Sequence, residues 1–339
     1  MKFKLFLMVF VLVVTQSLFG LETKIKGEFW NRYTLKMEGM DVKNSYFSLE
    51  RGYFTLEPKF NDNLKGRFTL NFFSAVNKDF KDGAGLKLKY AYLDFVKLLP
   101  QLNTNLSFGL IKHYFGTIYD WNYTTIEKAL EDREKIASST DYGISLNGIL
   151  PKGYGEYQLS ILNGEGYKKS LTDVNIFPEY CVNVRLIPFP GITIGGSYLY
   201  ENKAIHPDST AKIRSAYAGV GRIKFGILDF WAEYLQGTYI DSVSSGYMFM
   251  PVFSIGNISK IDMEIVLRYD FWNPDKEAEN DAFKKLTAGF NWNILRDESF
   301  KPVVFLQVNG ERTFYDDTTK KATDVVTVQL RWIISNTIK

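Results

Sequence analysis

A single cysteine, Cys181, stands among 339 residues, so no intramolecular disulfide is available and stability must come from hydrogen bonding and packing. Histidine is nearly as scarce. His113 sits at the end of an apolar stretch beside Tyr114 and Phe115 and reads as an interfacial polar aromatic; His206, in Ile205-His206-Pro207-Asp208, reads as a turn residue. No G-x-S-x-G, H-E-x-x-H or P-loop pattern and no Cys/His metal spacing occurs, so neither catalysis nor a cofactor or metal is expected. An excess of one charge is missing too. The 41 basic against 38 acidic residues come close to balance once Lys2 and Lys4 are set aside, which removes any simple argument for a nucleic-acid partner. Past Gly20 no run approaches 18 apolar residues, which excludes a transmembrane helix there. No linker or low-complexity tract marks a second domain.

What is present begins with a leader. Lys2 and Lys4 precede an unbroken apolar stretch from Leu5 to Val14, and Thr15-Gln16-Ser17 leads to a cleavage expected after Gly20, so residues 1–20 read as a signal peptide and 21–339 as the mature chain. The apolar stretch is too short for a membrane-spanning helix, which needs about 20 residues. Beyond it, Phe and Tyr are spread along the whole length. That distribution suits a barrel in lipid, with its outward apolar band and interfacial girdles, better than a soluble core.

The dominant pattern has period two. Phe68, Leu70 and Phe72 alternate with Arg67, Thr69 and Asn71; Tyr142, Ile144 and Leu146 with Asp141, Gly143, Ser145 and Asn147; Val182, Val184 and Leu186 with Cys181, Asn183 and Arg185. The same holds for Ile261, Met263, Ile265, Leu267 and Tyr269 against Asp262, Glu264, Val266, Arg268 and Asp270, and for Leu286, Ala288, Phe290 and Trp292 against Lys285, Thr287, Gly289, Asn291 and Asn293. Each such strand has one apolar and one polar face. A soluble sandwich and a lipid-embedded barrel both satisfy that pattern, and the connectors separate them. About sixteen strands can be drawn between residues 23 and 334, joined alternately by long links (36–43, 77–84, 116–138, 164–177, 203–210, 240–245, 273–283, 313–322) and by short turns such as Pro151-Lys152 and Pro188-Phe189-Pro190. Long outer loops opposite short periplasmic turns are the outer-membrane pattern. In hydrocarbon every backbone polar group must be paired, so the sheet is expected to close. The fold class is therefore all-β, a transmembrane antiparallel β-barrel of about 16 strands in the bacterial outer membrane, bounded by outer-membrane lipid and lipopolysaccharide.

The longest connector, 116–138, differs in kind. Residues 126–136 are helix formers with Ile126, Leu130 and Arg133 at helical spacing, and Thr125 stands where a cap would. It either lies on the surface or folds inward to narrow a water-filled lumen; the inward position is the expectation. If the apolar faces meet lipid, Arg51, Arg67, Lys87, Lys89, Arg185, Arg268, Lys285 and Arg331 line the lumen wall, opposed by Asp94, Glu233, Asp262, Glu264 and Asp270. Basic rings favour anions, while mixed charge merely keeps a lumen wet, so a modest anion preference is the reading.

Several short segments resemble the phosphate-selective porin O and P family: Arg51-Gly-Tyr-Phe-Thr-Leu, Lys89-Tyr-Ala-Tyr-Leu-Asp-Phe, Gly109-Leu-Ile-Lys-His-Tyr-Phe-Gly116, Asp141-Tyr-Gly-Ile-Ser-Leu-Asn-Gly148, Leu162-Asn-Gly-Glu-Gly-Tyr167, Val184-Arg-Leu-Ile-Pro188, Glu264-Ile-Val-Leu-Arg-Tyr-Asp270, Ala288-Gly-Phe-Asn-Trp292 and Val328-Gln-Leu-Arg331. Their order and spacing carry the likeness across most of the mature chain. The resemblance implies a homotrimeric sixteen-stranded porin whose third loop bears a basic constriction. Here that loop offers Lys128, Arg133 and Lys135 interleaved with Glu127, Glu131, Asp132 and Glu134, a mixed set rather than a dense basic ladder. The function expected is passive diffusion of small hydrophilic solutes, with anions or phosphate favoured. A non-conducting barrel for adhesion or surface binding, and a barrel hydrolase, are the alternatives.

Overall fold

The computed structural model describes residues 21–74, 83–122, 124–168, 175–205, 210–257 and 261–338; the expected leader (1–20) and His206 lie outside the described residues. Sixteen antiparallel strands follow in order. The first eight are β1 (Glu22–Glu38), β2 (Asp41–Asn61), β3 (Leu64–Ser74), β4 (Ala84–Leu99), β5 (Thr104–Lys112), β6 (Thr140–Ile149), β7 (Gly155–Leu162) and β8 (Glu179–Phe189). The rest are β9 (Ile192–Asn202), β10 (Ile213–Phe225), β11 (Leu228–Tyr239), β12 (Ser242–Ser254), β13 (Met263–Asn273), β14 (Phe283–Arg296), β15 (Pro302–Tyr315) and β16 (Thr323–Ile338). Each pairs with its sequence neighbours, and β1 closes on β16 in continuous register from Thr23↔Ile338 to Glu38↔Thr323. Closure leaves no strand edge unpaired around the ring, which is what a spanning sheet needs where water is absent.

Alternation sorts the side chains as the sequence pattern requires. Large apolar groups stand exposed on the outside all round the ring, among them Phe54, Phe72, Phe108, Leu159, Tyr198, Tyr217, Tyr234, Phe249, Leu267, Leu286, Trp292 and Leu330. Inward positions on β14, β15, β16 and β1 form a polar ladder. Gln307 donates to Asn291 Oδ1 at 2.9 Å, Gln329 to Gln307 Oε1 at 2.9 Å and Arg32 to Gln329 Oε1 at 3.0 Å. Amide ladders of this kind satisfy buried polar groups that would otherwise be desolvated without a partner.

The element bounds depart from expectation in four places. The links expected to be long at 36–43 and 240–245 are two-residue turns, Gly39-Met40 and Ile240-Asp241, and β16 runs on to Ile338 rather than ending near 334. At the barrel rim both strand faces meet water, so polar residues such as Lys36, Asp41 and Lys43 satisfy a strand as well as a loop. Conversely β12 and β13 are joined by residues 255–262, longer than the turn expected there. Length sorting survives in the connectors after β3, β5, β7, β9, β13 and β15, all on one rim.

Candidate functional site

The connector from β5 to β6 lies inside the barrel over its described residues, 113–122 and 124–139. Its apolar residues Phe115, Ile118, Trp121, Ala129, Leu130 and Ala137 form one buried cluster with inward-facing residues of β8–β13: Cys181, Leu199, Ala216, Ala218, Trp231, Leu235, Met248, Met250, Val252, Val266 and Trp272. The inner wall there carries an apolar patch set among buried charged groups, where a wet polar wall was expected. Fully burying a residue such as Leu130 or Phe115 contributes about 1.5–3 kcal/mol relative to exposure, more than a typical net hydrogen bond at about 1 kcal/mol. Apolar packing thus seats the loop, and polar contacts fix its register.

Only one turn of helix, α1 (Leu130–Arg133), forms within the expected 126–136. Ala129 is extended (ψ 150°) and Lys135 is left-handed (φ 61°), so the segment is drawn out along the wall on one side and turned back on the other. Thr125 does not cap it; its hydroxyl donates to the Glu127 carbonyl at 3.3 Å. Gly116 (φ 54°) lets the chain enter the lumen, and a Cβ there would stand 2.5 Å from Glu233 Oε1 and 2.6 Å from Glu131 Oε1.

Four of the sequence-predicted wall cations hold this loop. Arg185 donates to the Gly116 carbonyl and pairs with Asp120 at 3.0 Å. Arg268 pairs with Asp270 at 2.7 Å and donates to the Lys128 carbonyl at 2.8 Å. Lys285 reaches Glu127 at 2.8 Å, and Arg331 pairs with Glu28 at 3.0 Å while donating to the Asn122 carbonyl at 3.4 Å. The remaining four stand on the opposite wall, among them Lys89, which also reaches the returning end of the loop through the Ser139 hydroxyl. Arg51 donates to the Tyr53 hydroxyl at 2.9 Å, Arg67 lies 4.3 Å from the Tyr90 ring centroid and Lys87 5.1 Å from that of Phe73.

The loop's own predicted residues divide similarly. Glu131 is buried against Glu233, with the Thr117 hydroxyl 3.3 Å from one carboxyl and 3.2 Å from the other. One hydroxyl proton cannot serve both, and two carboxylates in one dry site cannot both ionise; burial pushes the Glu131 carboxyl up. Arg133 is engaged by Glu134 at 2.5 Å and Asp270 at 3.3 Å. Burial would also raise Glu127, but Lys285, Arg133 and Arg268 overcome it and hold that carboxyl well below the usual carboxylate range. Lys128 and Asp132 (3.7 Å apart) and Lys135 face open space.

Both ends of the loop are tied by a group that sequence reasoning misplaced. His113 is buried on the inner wall rather than interfacial. Its Nδ1 lies 3.0 Å from the Ser138 carbonyl and its Nε2 2.9 Å from Glu179 Oε1, a distance that makes an ion pair when the ring is protonated. Burial alone would lower its pKa; the Glu179 carboxylate reverses that and raises it well above the usual value. Arg214 continues the chain, bonding Glu179 at 2.8 Å, Glu201 at 2.5 Å and the Ile136 carbonyl at 2.6 Å. Arg214 was legible as an inward position on β10, in step with Ala216 and Ala218, but an apolar inner wall hid that parity.

What stays open lies beside the loop. One cavity of about 440 Å³ is lined by Lys128, Arg133, Lys135, Lys168, Lys203 and Arg214, with Asp132 and Glu165 as its carboxylates. A second, of about 170 Å³, carries Arg51, Lys87, Lys89, Lys128 and Lys168 against Glu50 and Asp132. Cations outnumber carboxylates in both. Among the described residues no group of three or more His, Cys, Asp or Glu side chains could hold a metal ion.

No family model matches the sequence, and no curated protein matches it either. Solved structures do match along nearly the whole chain. The outer membrane channel DcaP of Acinetobacter baumannii superposes with a TM-score of 0.67 at 12% identity, covering 93% of this chain and 98% of its own. OprB of Pseudomonas putida gives 0.68 at 7% identity, covering 95% and 96%. An anion-selective porin from Comamonas acidovorans gives 0.62 at 12% identity, covering 92% and 99%. The chain thus has the sixteen-stranded barrel fold of the outer-membrane porins.

Proposed function

We propose that this protein is a passive porin of the bacterial outer membrane, exported by a signal peptide at residues 1–20 and admitting small hydrophilic solutes past a constriction made by residues 116–138. The observation that carries the reading is the pairing of a closed barrel, large apolar side chains exposed all round its outer face, with an inner loop that fills one side of the lumen and leaves charged cavities on the other. Such an outer face suits lipid, and such an interior suits hydrated solutes. Because cations outnumber carboxylates in both cavities, the passage prefers anions, phosphate among them, without a site restricted to phosphate. The resemblance to phosphate-selective porins supports a homotrimer, which cross-linking in outer membranes would test by a band at three times the monomer mass. The decisive experiment is conductance of the purified protein in planar bilayers. Ohmic channels with a reversal potential on the anion side in asymmetric KCl are expected; an absence of channels would refute the reading.

A further inference from the structure

Lys168 lines both cavities and belongs to a different loop from the one that fills the lumen. The connector after β7 begins with residues 163–168, the Asn-Gly-Glu-Gly-Tyr-Lys segment, and these form a hook folded against the returning end of the 113–139 loop. Gly164 N–H donates to Asp141 Oδ2 at 2.7 Å and Tyr167 N–H to the Thr140 carbonyl at 3.1 Å. Gly164 (φ 85°) is left-handed and packs against the Glu201 carboxylate, leaving no room for a Cβ. The Lys89 ammonium, buried on β4, sits 4.2 Å from the Tyr167 ring centroid and donates to the Ser139 and Thr140 hydroxyls, so one cation braces the hook and the loop end together.

We propose that residues 163–168 are the second half of the constriction and that Lys168 sets anion selectivity, facing Lys128 across the passage, with Lys89 and Tyr167 as positioning residues. This inference rests on the porin reading. A solute squeezed between the loops loses part of its hydration shell, and cations converging from two loops and the wall replace it more fully than one loop does. Field strength rises as the water-filled gap narrows, so a single charge at its mouth is felt by every ion that passes.

The test is the reversal potential of single channels in asymmetric KCl, for purified variants whose heat-modifiable migration shows a folded barrel. K168E should lower the chloride-to-potassium permeability ratio by more than about twofold, K168Q by a smaller step, and K168R should restore it. K152E, on an exposed turn at the other rim, serves as the charge control and should leave the ratio unchanged. Y167A should lower selectivity while raising open-channel noise, as expected of a lost brace. If K168E leaves the ratio unchanged while K128E shifts it, the hook is not part of the constriction and the porin reading stands. If neither variant shifts it, both the hook and the loop are overturned as selectivity elements.

Discussion

Inward positions on β9–β12 carry Leu199, Ala216, Ala218, Leu235, Met248 and Met250, while the facing wall on β2–β4 carries Arg51, Arg67, Lys87 and Lys89. The sheet geometry is the same on both sides; only the residues at the inward parity differ. On the first side a loop with a matching apolar face has packed down and expelled water, as a small core would. On the second, the charged groups already bond along the wall, Arg51 to Tyr53 and Arg67 to Glu57, and covering them with an apolar loop would strip their remaining hydration, so that side remains open. The contrast explains how one long connector can be firmly seated in a barrel and yet leave the water path that the proposed porin function requires. Seating needs apolar complementarity on one wall, and passage needs its absence on the other.

The strongest way to break this contrast is to put a charge into the seat. Leu130→Asp buries a carboxylate in the apolar cluster and should unseat the loop, raising single-channel conductance by more than about twofold, whereas Leu130→Ala should weaken seating by about 2–5 kcal/mol and mainly add gating noise. An unchanged conductance in Leu130→Asp would show that apolar packing does not hold the loop.

A smaller effect is expected from pH. His113 is faced by Glu179 and Cys181 from β8 and by Asp141 from β6, and Glu179 is in turn held by Arg214 from β10. Its raised pKa means that its contribution to seating is complete below the ordinary histidine value and is lost as pH rises through the raised one. Conductance should therefore be steady at neutral and acid pH and become larger and noisier in alkali. In His113→Asn that pH step should be absent; a step of the same size in the variant would assign it to another group.

Smaller still are the changes on the open side. Lys128→Gln should move the reversal potential towards cations more than Lys135→Gln, because Lys128 lines both cavities and Lys135 only one. Equal shifts would mean that bulk surface charge, not position, governs selectivity. Least of all should follow from Glu131→Gln. The buried Glu131–Glu233 pair cannot hold two negative charges, and an amide at 131 can donate to Glu233 in place of the shared proton, so conductance at neutral pH should match the unmodified protein; a changed conductance would show that the carboxyl itself is needed to seat the loop.

Much of the fold was legible because period-two alternation survives wherever one strand face meets lipid and the other water. All sixteen strands could be drawn from it, with errors at the rim, where Lys36–Glu38 and Asp41–Lys43 prolong a hairpin that polarity alone reads as a loop. The site was less legible. The inward direction of Arg185, Arg268 and Lys285 followed from parity, but whether each lines water or grips a loop depends on where residues 113–139 come to rest, which no local pattern states. Ala216, Ala218 and Val220 on β10 and Met248, Met250 and Val252 on β12, at the parity opposite Tyr217 and Phe249, were the available signal for an apolar inner wall. Lys168 had none, since a loop residue has no period to betray its direction.

Cys181 lies beneath the seated loop, its thiol donating to the Tyr114 carbonyl at 3.2 Å. The protein therefore carries its own chemical timer. A thiol reagent in the lumen reaches this sulfur only during excursions of the loop, so the labelling rate of the unmodified protein, followed by mass, reads how often the seat opens and how deeply.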